Sequence, residues 1–538
     1  MKLPVLRYAS RYAKTPQIQF GGYHHALSAG DGEIFDMENL CSDHFPVLAT
    51  RQKRRTVRTL EKPNGIFAWE ELCWVDGGTF YYGGEAKGSV SDGEKTFAAL
   101  GAYVVILPDK KYYNTEADEF GSLESTWSGT VTFENGTLFE EEAEANTIRA
   151  TGVDWSQYFK DGDAVTISGC TVHPENNKTP VIREIDGDKL RFYENVFKLS
   201  GDEGTTAYSE SGVTIARTVP DIKWCCENEN RLWGCDERTI YCCKLGDIFN
   251  WNVFEGLDTD SYAVDTGSSG KFTGCISYLG YPIFFKEDHI YKVYGSMPSN
   301  FEMMGSATLG VAEGSAKSPA VAGETLLYQS TAGFMAYSGG IPQPLSEAFG
   351  LDRYEQAVGG SDGLKYYVST RSVQDGTWSL FVYDTQKGVW HREDATQAVG
   401  WARFDGNTWC LAADGKMFLT GTIRGVEGEE EADFDWTCEF ADFTAGSPDK
   451  KGLGRLQLRA EVDEGAELSV WLRFDSVGLW QKVSTIRADV KRSYLLPIVP
   501  RRSDHYRVKL SGTGGCRIYS LAREQYSGSE IRTRTGRN

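Results

Sequence analysis

The sequence lacks any long apolar run. Its longest apolar stretch, residues 97–107, is too short to cross a membrane as a helix. The N-terminal residues MKLPVLRYAS also lack the apolar core of a secretory signal peptide. We therefore expect a protein that makes no membrane contact, is synthesised in the cytoplasm and has no export signal of its own.

Common catalytic and cofactor motifs are also missing. The chain contains no GxSxG nucleophile elbow, no GxxxxGK[ST] phosphate loop and no CxxC pair. It has only seven histidines, and the adjacent pair His24 and His25 has no obvious third metal ligand. Carboxylates suited to glycoside hydrolysis stand in predicted turns, where aspartate is expected for turn geometry alone: Asp76, Asp236, Asp288 and Asp414. The sequence thus predicts no enzyme, no cofactor and no metal site.

Basic residues are outnumbered by acidic ones. There are 56 lysines and arginines against 76 aspartates and glutamates, which gives a net charge of −20 and a pI near 5.0. A protein whose main task is to grip nucleic acid usually carries a basic surface. The acidic balance therefore argues against tight DNA binding. It suits either simple solubility or a surface that lets DNA pass without sticking.

Cysteine is plentiful, at twelve residues, but its spacing does not indicate disulfides. Cys225 and Cys226 are adjacent within a predicted strand, as are Cys242 and Cys243. Neighbouring residues of a strand point to opposite faces and do not bridge each other easily. We expect reduced cysteines that act as small packing residues.

The stretch 222–245, IKWCCENENRLWGCDERTIYCCKL, has the period-two alternation and polar turns of an antiparallel hairpin. The same order of apolar strand, Gly/Asp turn and aromatic strand recurs along the chain, at 66–83, 99–114, 275–295, 320–339, 363–384 and 398–420. A unit built only of strands and repeated every few dozen residues predicts a β-propeller of about seven hairpin repeats.

Five further segments complete the predicted organisation. Residues 1–64 are irregular and polar, and we interpret them as an extended N-terminal arm. The propeller occupies 65–113 and 221–425, and the interruption at 114–220 predicts an inserted small β domain. After the acidic linker 425–431, alternation at 432–524 predicts a C-terminal β-sandwich, and 525–538 a flexible tail. The predicted fold class is therefore mainly β.

Two charged clusters are candidate interface sites. The arm ends in a basic run that includes Arg51, Lys53, Arg54, Arg55 and Arg58. Such a run can contact DNA phosphate or an acidic neighbour, but more often it forms a solvated strand edge or pairs across subunits. The second cluster consists of Arg501, Arg502, Asp504 and His505 and predicts a surface or interface ion network.

Three stretches resemble prophage-encoded structural proteins of the packaged-DNA stabilisation type: FGGYHHALSAGDGEIFDMENLCSDHFPVLATRQKRR, NRLWGCDERTIYCCKLGDIFNW and LLPIVPRRSDHYRVKLSGTGGCRIYSLARE. More widely, the chain resembles tail-hub or nozzle proteins of short-tailed phages. The resemblance implies a virion tail protein, assembled in the host cytoplasm as a six-fold ring that extends the portal channel and retains packaged DNA. Its implied partners are further copies of itself, portal or adaptor proteins, tail fibres docked on the inserted domain, and DNA in transit. A large distal nozzle domain is not evident.

Two other functions remain open from sequence. A receptor-binding or baseplate protein could hold a cell-surface glycan on exposed aromatic residues, for which Trp251 and Trp390 are the nearest candidates. A propeller hydrolase is the weaker alternative, because no acid–base constellation is visible.

Overall fold

The computed structural model describes residues 11–193, 196–199, 205–475, 478–487 and 490–527. It divides into two units, one formed by Met1–Ala68 with Lys317–Asn538 and the other by Trp69–Ala316. The described residues contain no α-helix, only short 3-10 helices at Trp155–Gln157, Pro174–Asn176, Pro298–Asn300 and Ser346–Phe349. No described helix has the length and hydropathy needed to span a membrane.

The fold is mainly β, and each predicted hairpin repeat lies in a sheet of its own, as a propeller requires. In the second unit the repeat strands form antiparallel sheets in chain order. Their bounds are Leu72–Asp76, Thr79–Tyr82 and Glu85–Ser89; Thr96–Leu100, Tyr103–Leu107, Lys111–Asn114 and Glu119–Ser122; Trp224–Asn228, Arg231–Cys235, Thr239–Cys242 and Tyr262–Asp265; and Gly274–Tyr278, Tyr281–Phe285, His289–Tyr294 and Glu302–Ala307.

The first unit continues the series of repeats. Its sheets are formed by Ala320–Ala322, Thr325–Ser330, Gly333–Tyr337 and Gln343–Pro344; by Tyr354–Ser361, Lys365–Ser372, Trp378–Asp384 and Val389–Arg392; and by Ala398–Phe404, Asn407–Ala412 and Lys416–Thr420. The last sheet gains Arg55–Thr59 and then Glu429–Glu430 as outer strands. A strand from early in the chain thereby completes the final repeat. Pro63–Ala68 is a further strand of this unit.

The inserted domain is one six-stranded sheet over a core of its own. The strand order is Thr166–Ser168, Ala207–Arg217, Ser125–Leu138, Glu141–Arg149, Lys189–Phe192 and Ile182–Asp186. Its core contains Phe133, Ile148 and Trp155, all fully buried. Gly187 and Asp188 form the tight turn between Ile182–Asp186 and Lys189–Phe192, and Gly187 takes a positive φ of 58° that glycine adopts freely.

The C-terminal sandwich consists of two sheets around a shared core. Leu456, Leu458 and Ala460 in one sheet and Leu468 and Val470 in the other are fully buried, as their spacing predicts. The first sheet runs Leu40–Cys41, Leu48–Thr50, Cys516–Ser527, Lys451–Val462 and Arg492–Leu496, with Arg11–Gln17 paired to Cys516–Ser527 and Arg501–Ser503 paired to Lys451–Val462. The second runs Ile34–Glu38, Asp435–Phe440, Tyr506–Thr513, Glu467–Phe474 and Gln481–Ile486.

The N-terminal segment is more ordered than the irregular arm expected from sequence. Its strands pair with the sandwich and with the last repeat, so that Lys14 lies opposite Glu524 and Met37 opposite Cys438. Phe20, Tyr23 and Met37 enter the same core as the sandwich strands. Burial of these side chains holds the segment in place. The predicted C-terminal tail starts inside the strand that reaches Ser527, and 528–538 lies outside the described residues, as does 1–10.

The cysteines are all free, and ten of the twelve are buried. Cys225 and Cys243 lie in one hydrophobic cluster, whereas their neighbours Cys226 and Cys242 face another. Each adjacent pair therefore serves both faces of a strand, as the sequence predicts. Burial raises the pKa of Cys242 to about 12, so its thiol stays protonated at neutral pH.

Candidate interaction surface

The first candidate cluster is occupied by contacts within the chain. Arg51 forms a two-pronged ion pair with Glu431, at 2.6 and 2.8 Å from guanidinium nitrogen to carboxylate oxygen. Arg54 contacts Glu393 at 2.7 Å and Asp394 at 2.6 Å. Both arginine side chains are more than nine-tenths buried. The prediction that Arg51 and Arg54 are interface residues is therefore corrected, because their charges are already paired and shielded from solvent.

Two carboxylates of this cluster, Asp394 and Glu431, have a pKa below the ordinary value. Burial alone would raise the pKa of Asp394, but the charges of Arg54 and Arg51 and the hydrogen bonds from Thr396 and Arg54 together outweigh it, and the pKa lies below its ordinary value. Burial would likewise raise the pKa of Glu431, but the hydrogen bonds and charges of Arg51 and Arg54 together lower it below its ordinary value. The predicted acidic linker 425–431 is thus the partner of the basic run. Lys53 and Arg55 remain partly exposed beside the same linker, with Lys53 lying 2.7 Å from Asp433.

The second candidate cluster lies at the end of the sandwich. His505 Nδ1 is 2.6 Å from Asp504 Oδ1, and the backbone N–H of Asp504 donates to Asp475 at 3.1 Å. One ligating atom from each of these three side chains lies within 4.8 Å of the others, so together they could offer three ligands to a cation. Arg501 and Arg502 are exposed beside them. The structure thus joins Asp504 and His505 to Asp475, which is distant in the chain, whereas Arg501 lies over the Phe474 ring and Arg502 donates to the backbone oxygen of Lys450.

Those arginines belong to a larger feature, which we call the open edge. It consists of residues 478–487 and 490–503, including strands Gln481–Ile486, Arg492–Leu496 and Arg501–Ser503. Gln481–Ile486 is the last strand of one sandwich sheet, and Arg492–Leu496 the last strand of the other. Only five residues separate Ile486 from Arg492 along the chain, so the two edge strands lie on one side of the sandwich. An edge strand presents backbone N–H and C=O groups that can pair with another chain.

The open edge is basic, although the protein as a whole is acidic. Its exposed cations are Lys482, Arg487, Lys491, Arg492, Arg501 and Arg502. Several are held over aromatic rings. Lys491 Nζ lies 3.5 Å from the centre of the Tyr519 ring, and the Arg492 guanidinium lies 4.7 Å from that of Tyr494. Such cation–π contacts fix the position of the charge while leaving it accessible.

Aliphatic side chains lie exposed among these charges. Leu479 and Val499 are 87% and 83% exposed, and Leu495 and Val490 are more than half exposed. Leu495 projects from the outer face of its sheet, because its strand neighbours Tyr494 and Leu496 face the core. Exposed aliphatic residues along strand edges that no other described strand covers are typical of a protein–protein contact surface. Sequence analysis missed this grouping, since its strand pattern did not reveal which strands end the sheets.

The residues weighed for other functions have structural roles. Asp236 accepts hydrogen bonds from the backbone N–H groups of Arg238 and Thr239, at 2.7 and 2.8 Å, and so closes a turn as predicted. Asp414 does the same for Lys416. Trp251 and Trp390 are almost fully buried, at 1% and 3% exposed, which corrects their suggested role as glycan-stacking residues.

No protein-family model matches the chain, and comparison with curated proteins also finds no match. Among solved structures, BamB from Moraxella catarrhalis shares 10% identity with a TM-score of 0.33, covering 70% of this chain and 99% of BamB. An exo-β-1,3-galactanase from Phanerochaete chrysosporium shares 8% identity with a TM-score of 0.22, covering 56% of this chain and 94% of that one. Similarity at this level supports no inference about function.

Proposed function

We propose that the protein is a self-assembling structural protein, a ring-forming tail hub of a bacteriophage virion. In this role it extends the portal channel, retains packaged DNA and docks tail fibres. The observation that carries the proposal is the open edge, where two sheet edges, four exposed aliphatic residues and a row of cations lie on one side of the sandwich. Exposed apolar side chains and strand edges favour association with another chain, so this surface supports a protein that assembles.

Two other features suit this role. The net charge of −20 would repel DNA from most of the surface, so that a ring could surround DNA without holding it. The inserted domain is fixed to the neighbouring repeat through Asn250, whose side chain donates to Asp163 and accepts from the backbone N–H of Ala164, each at 2.9 Å. Asp163 is held in place by a buried ion pair with Arg217 of its own domain, at 2.6 Å. A rigidly held domain is suited to carry a load such as a fibre.

Sedimentation velocity of the purified full-length chain tests the proposal. We expect species heavier than the 59.8 kDa monomer, increasing with concentration. Changing Leu495→Asp and Val499→Asp together should shift the protein to monomer, because carboxylates would be buried at the contact.

A matched control alters two exposed apolar residues elsewhere, Val172→Asp with Leu257→Asp, and should assemble like the unmodified protein. A chain that stays monomeric at every concentration, or an edge variant that assembles normally, would show that the open edge is not an assembly surface.

A further inference from the structure

We infer that the open edge is covered by an acidic β-ribbon from the inserted domain of a second copy of this chain. This inference rests on the proposed self-assembly and names the contact that produces it. The ribbon comprises residues 136–143, at the tip of the hairpin formed by Ser125–Leu138 and Glu141–Arg149.

The ribbon extends beyond the rest of its sheet. Within it Gly136 lies opposite Ala143, and Leu138 opposite Glu141. On one side, the last register pair joins Glu134 to Ala207, followed by a backbone hydrogen bond from Asn135 to Thr206 at 3.0 Å. On the other side, Lys189–Phe192 pairs only with 147–149. Among the described residues, the tip is therefore paired in the sheet only with itself. No other described strand pairs with either outer edge of the tip, so each edge offers backbone groups that can add to another sheet.

The chemistry of the ribbon is the counterpart of the open edge. Glu140, Glu141 and Glu142 are exposed at its tip, and beside them Phe139 is 70% exposed. The Arg183 guanidinium lies 4.4 Å from the centre of the Phe139 ring and steadies it on one face. In the proposed contact, the acidic groups around Phe139 of one copy face the cations and aliphatic residues on the open edge of another copy. Opposite charges of this kind fix both partner and register.

Strand addition explains why both features occur in one chain. The ribbon can pair with an unpaired edge, Gln481–Ile486 or Arg492–Leu496, while Phe139 packs among Leu479, Leu495 and Val499. Because the ribbon and the edge are different surfaces, the contact is heterologous, and repeating it produces a closed ring or an open filament.

Nucleic acid is the competing occupant, because the open edge combines cations with aromatic rings. Three observations favour the protein ribbon. The aromatic rings of the edge lie beneath its cations and are not presented as free stacking faces. The most exposed residues are aliphatic, and both sheet edges end there.

A charge-swap experiment on the full-length chain tests the pairing. The ribbon variant carries Glu140→Lys, Glu141→Lys and Glu142→Lys, and the edge variant carries Lys482→Glu, Arg501→Glu and Arg502→Glu. Each should self-associate roughly 10-fold or more weakly than the unmodified chain in sedimentation velocity. Mixing the two variants should restore assembly, because opposite charges then face each other at every contact. A control with Glu175→Lys, Glu184→Lys and Asp186→Lys changes net charge equally on the same domain and should assemble normally.

The outcomes separate this inference from the proposed function. If the edge variant dissociates but the ribbon variant does not, the open edge is an assembly surface with a different occupant, and the inference is wrong while the function stands. If both variants assemble normally, the inference and the assembly role of the edge are both wrong. If the edge variant loses binding to a short duplex DNA while its assembly is unchanged, the edge is a nucleic-acid site, which overturns the inference.

Discussion

His391 is a buried residue whose protonation differs between the folded and the unfolded chain. It lies in strand Val389–Arg392 and is almost fully buried. Burial lowers its pKa from 6.5 to about 4, and the nearby positive charge of Lys365 adds to the effect. The imidazole is therefore neutral in the folded protein at neutral pH, whereas in the unfolded chain it takes up a proton near pH 6.5.

This difference predicts how stability depends on pH. Above pH 6.5 His391 is neutral in both the folded and the unfolded state, so it does not change the free energy of unfolding. As pH falls from 6.5 towards 4, the unfolded state binds a proton that the folded state excludes, so the free energy of unfolding falls. The loss approaches about 3 kcal/mol and levels off below pH 4.

Urea unfolding followed at a series of pH values measures this dependence. We expect His391→Gln to flatten the slope between pH 6.5 and 4, although the variant is less stable overall. His44 is exposed, and His44→Gln should leave the slope unchanged. An unchanged slope in His391→Gln would mean that another group controls stability in this range.

The buried charges show why parts of the site could not be predicted from sequence. Arg51 and Arg54 stand in a run that is typical of an exposed basic patch. Their partners Glu393, Asp394 and Glu431 are more than three hundred residues away along the chain. No local pattern indicates such a pairing. Asp504 and His505, by contrast, are neighbours in sequence, and their side chains lie 2.6 Å apart in the structure.

At the scale of strands and sheets, local sequence patterns predict most of the fold. Period-two alternation located all seven hairpin repeats and the buried positions of the sandwich, because each hairpin pairs residues close in sequence. The N-terminal strands were missed because their partners are distant, as with Lys14 opposite Glu524. Short polar strands that pair across the whole chain have no signature in a local window.

The attachment of the inserted domain leads to a prediction at this scale. Asp163 pairs with Arg217 in a buried contact, and Asn250 of the adjoining repeat donates to Asp163 at 2.9 Å. Replacing Asp163→Ala leaves the Arg217 charge buried without this carboxylate, at a cost of about 3 kcal/mol. Hydrogen exchange should accelerate around 163–168 and 248–252, while the sandwich stays protected.

A surface ion pair of the same domain provides the control. Asp186 contacts Arg191 at 2.6 Å but is more than half exposed, so Asp186→Ala should change exchange little. Equal protection in Asp163→Ala and the unmodified chain would show that the buried pair does not hold the inserted domain.

At the scale of the whole molecule, charge is distributed unevenly. The chain carries a net charge of −20, yet the open edge has six exposed cations, and the tip of the inserted domain is acidic. A molecule with separate surfaces of opposite charge is suited to head-to-tail association with copies of itself. Composition alone predicts only that the net charge is negative. Where the positive and negative surfaces lie depends on which strands form the edges of the sheets.

Electron-microscopic image averaging of the purified particle, without imposed symmetry, tests self-assembly most directly. We predict closed rings in which every subunit makes the same contact through its sandwich edge, and their loss in the variant with Leu495→Asp and Val499→Asp. Particles of single subunits at concentrations well above those used for sedimentation would contradict the proposed assembly.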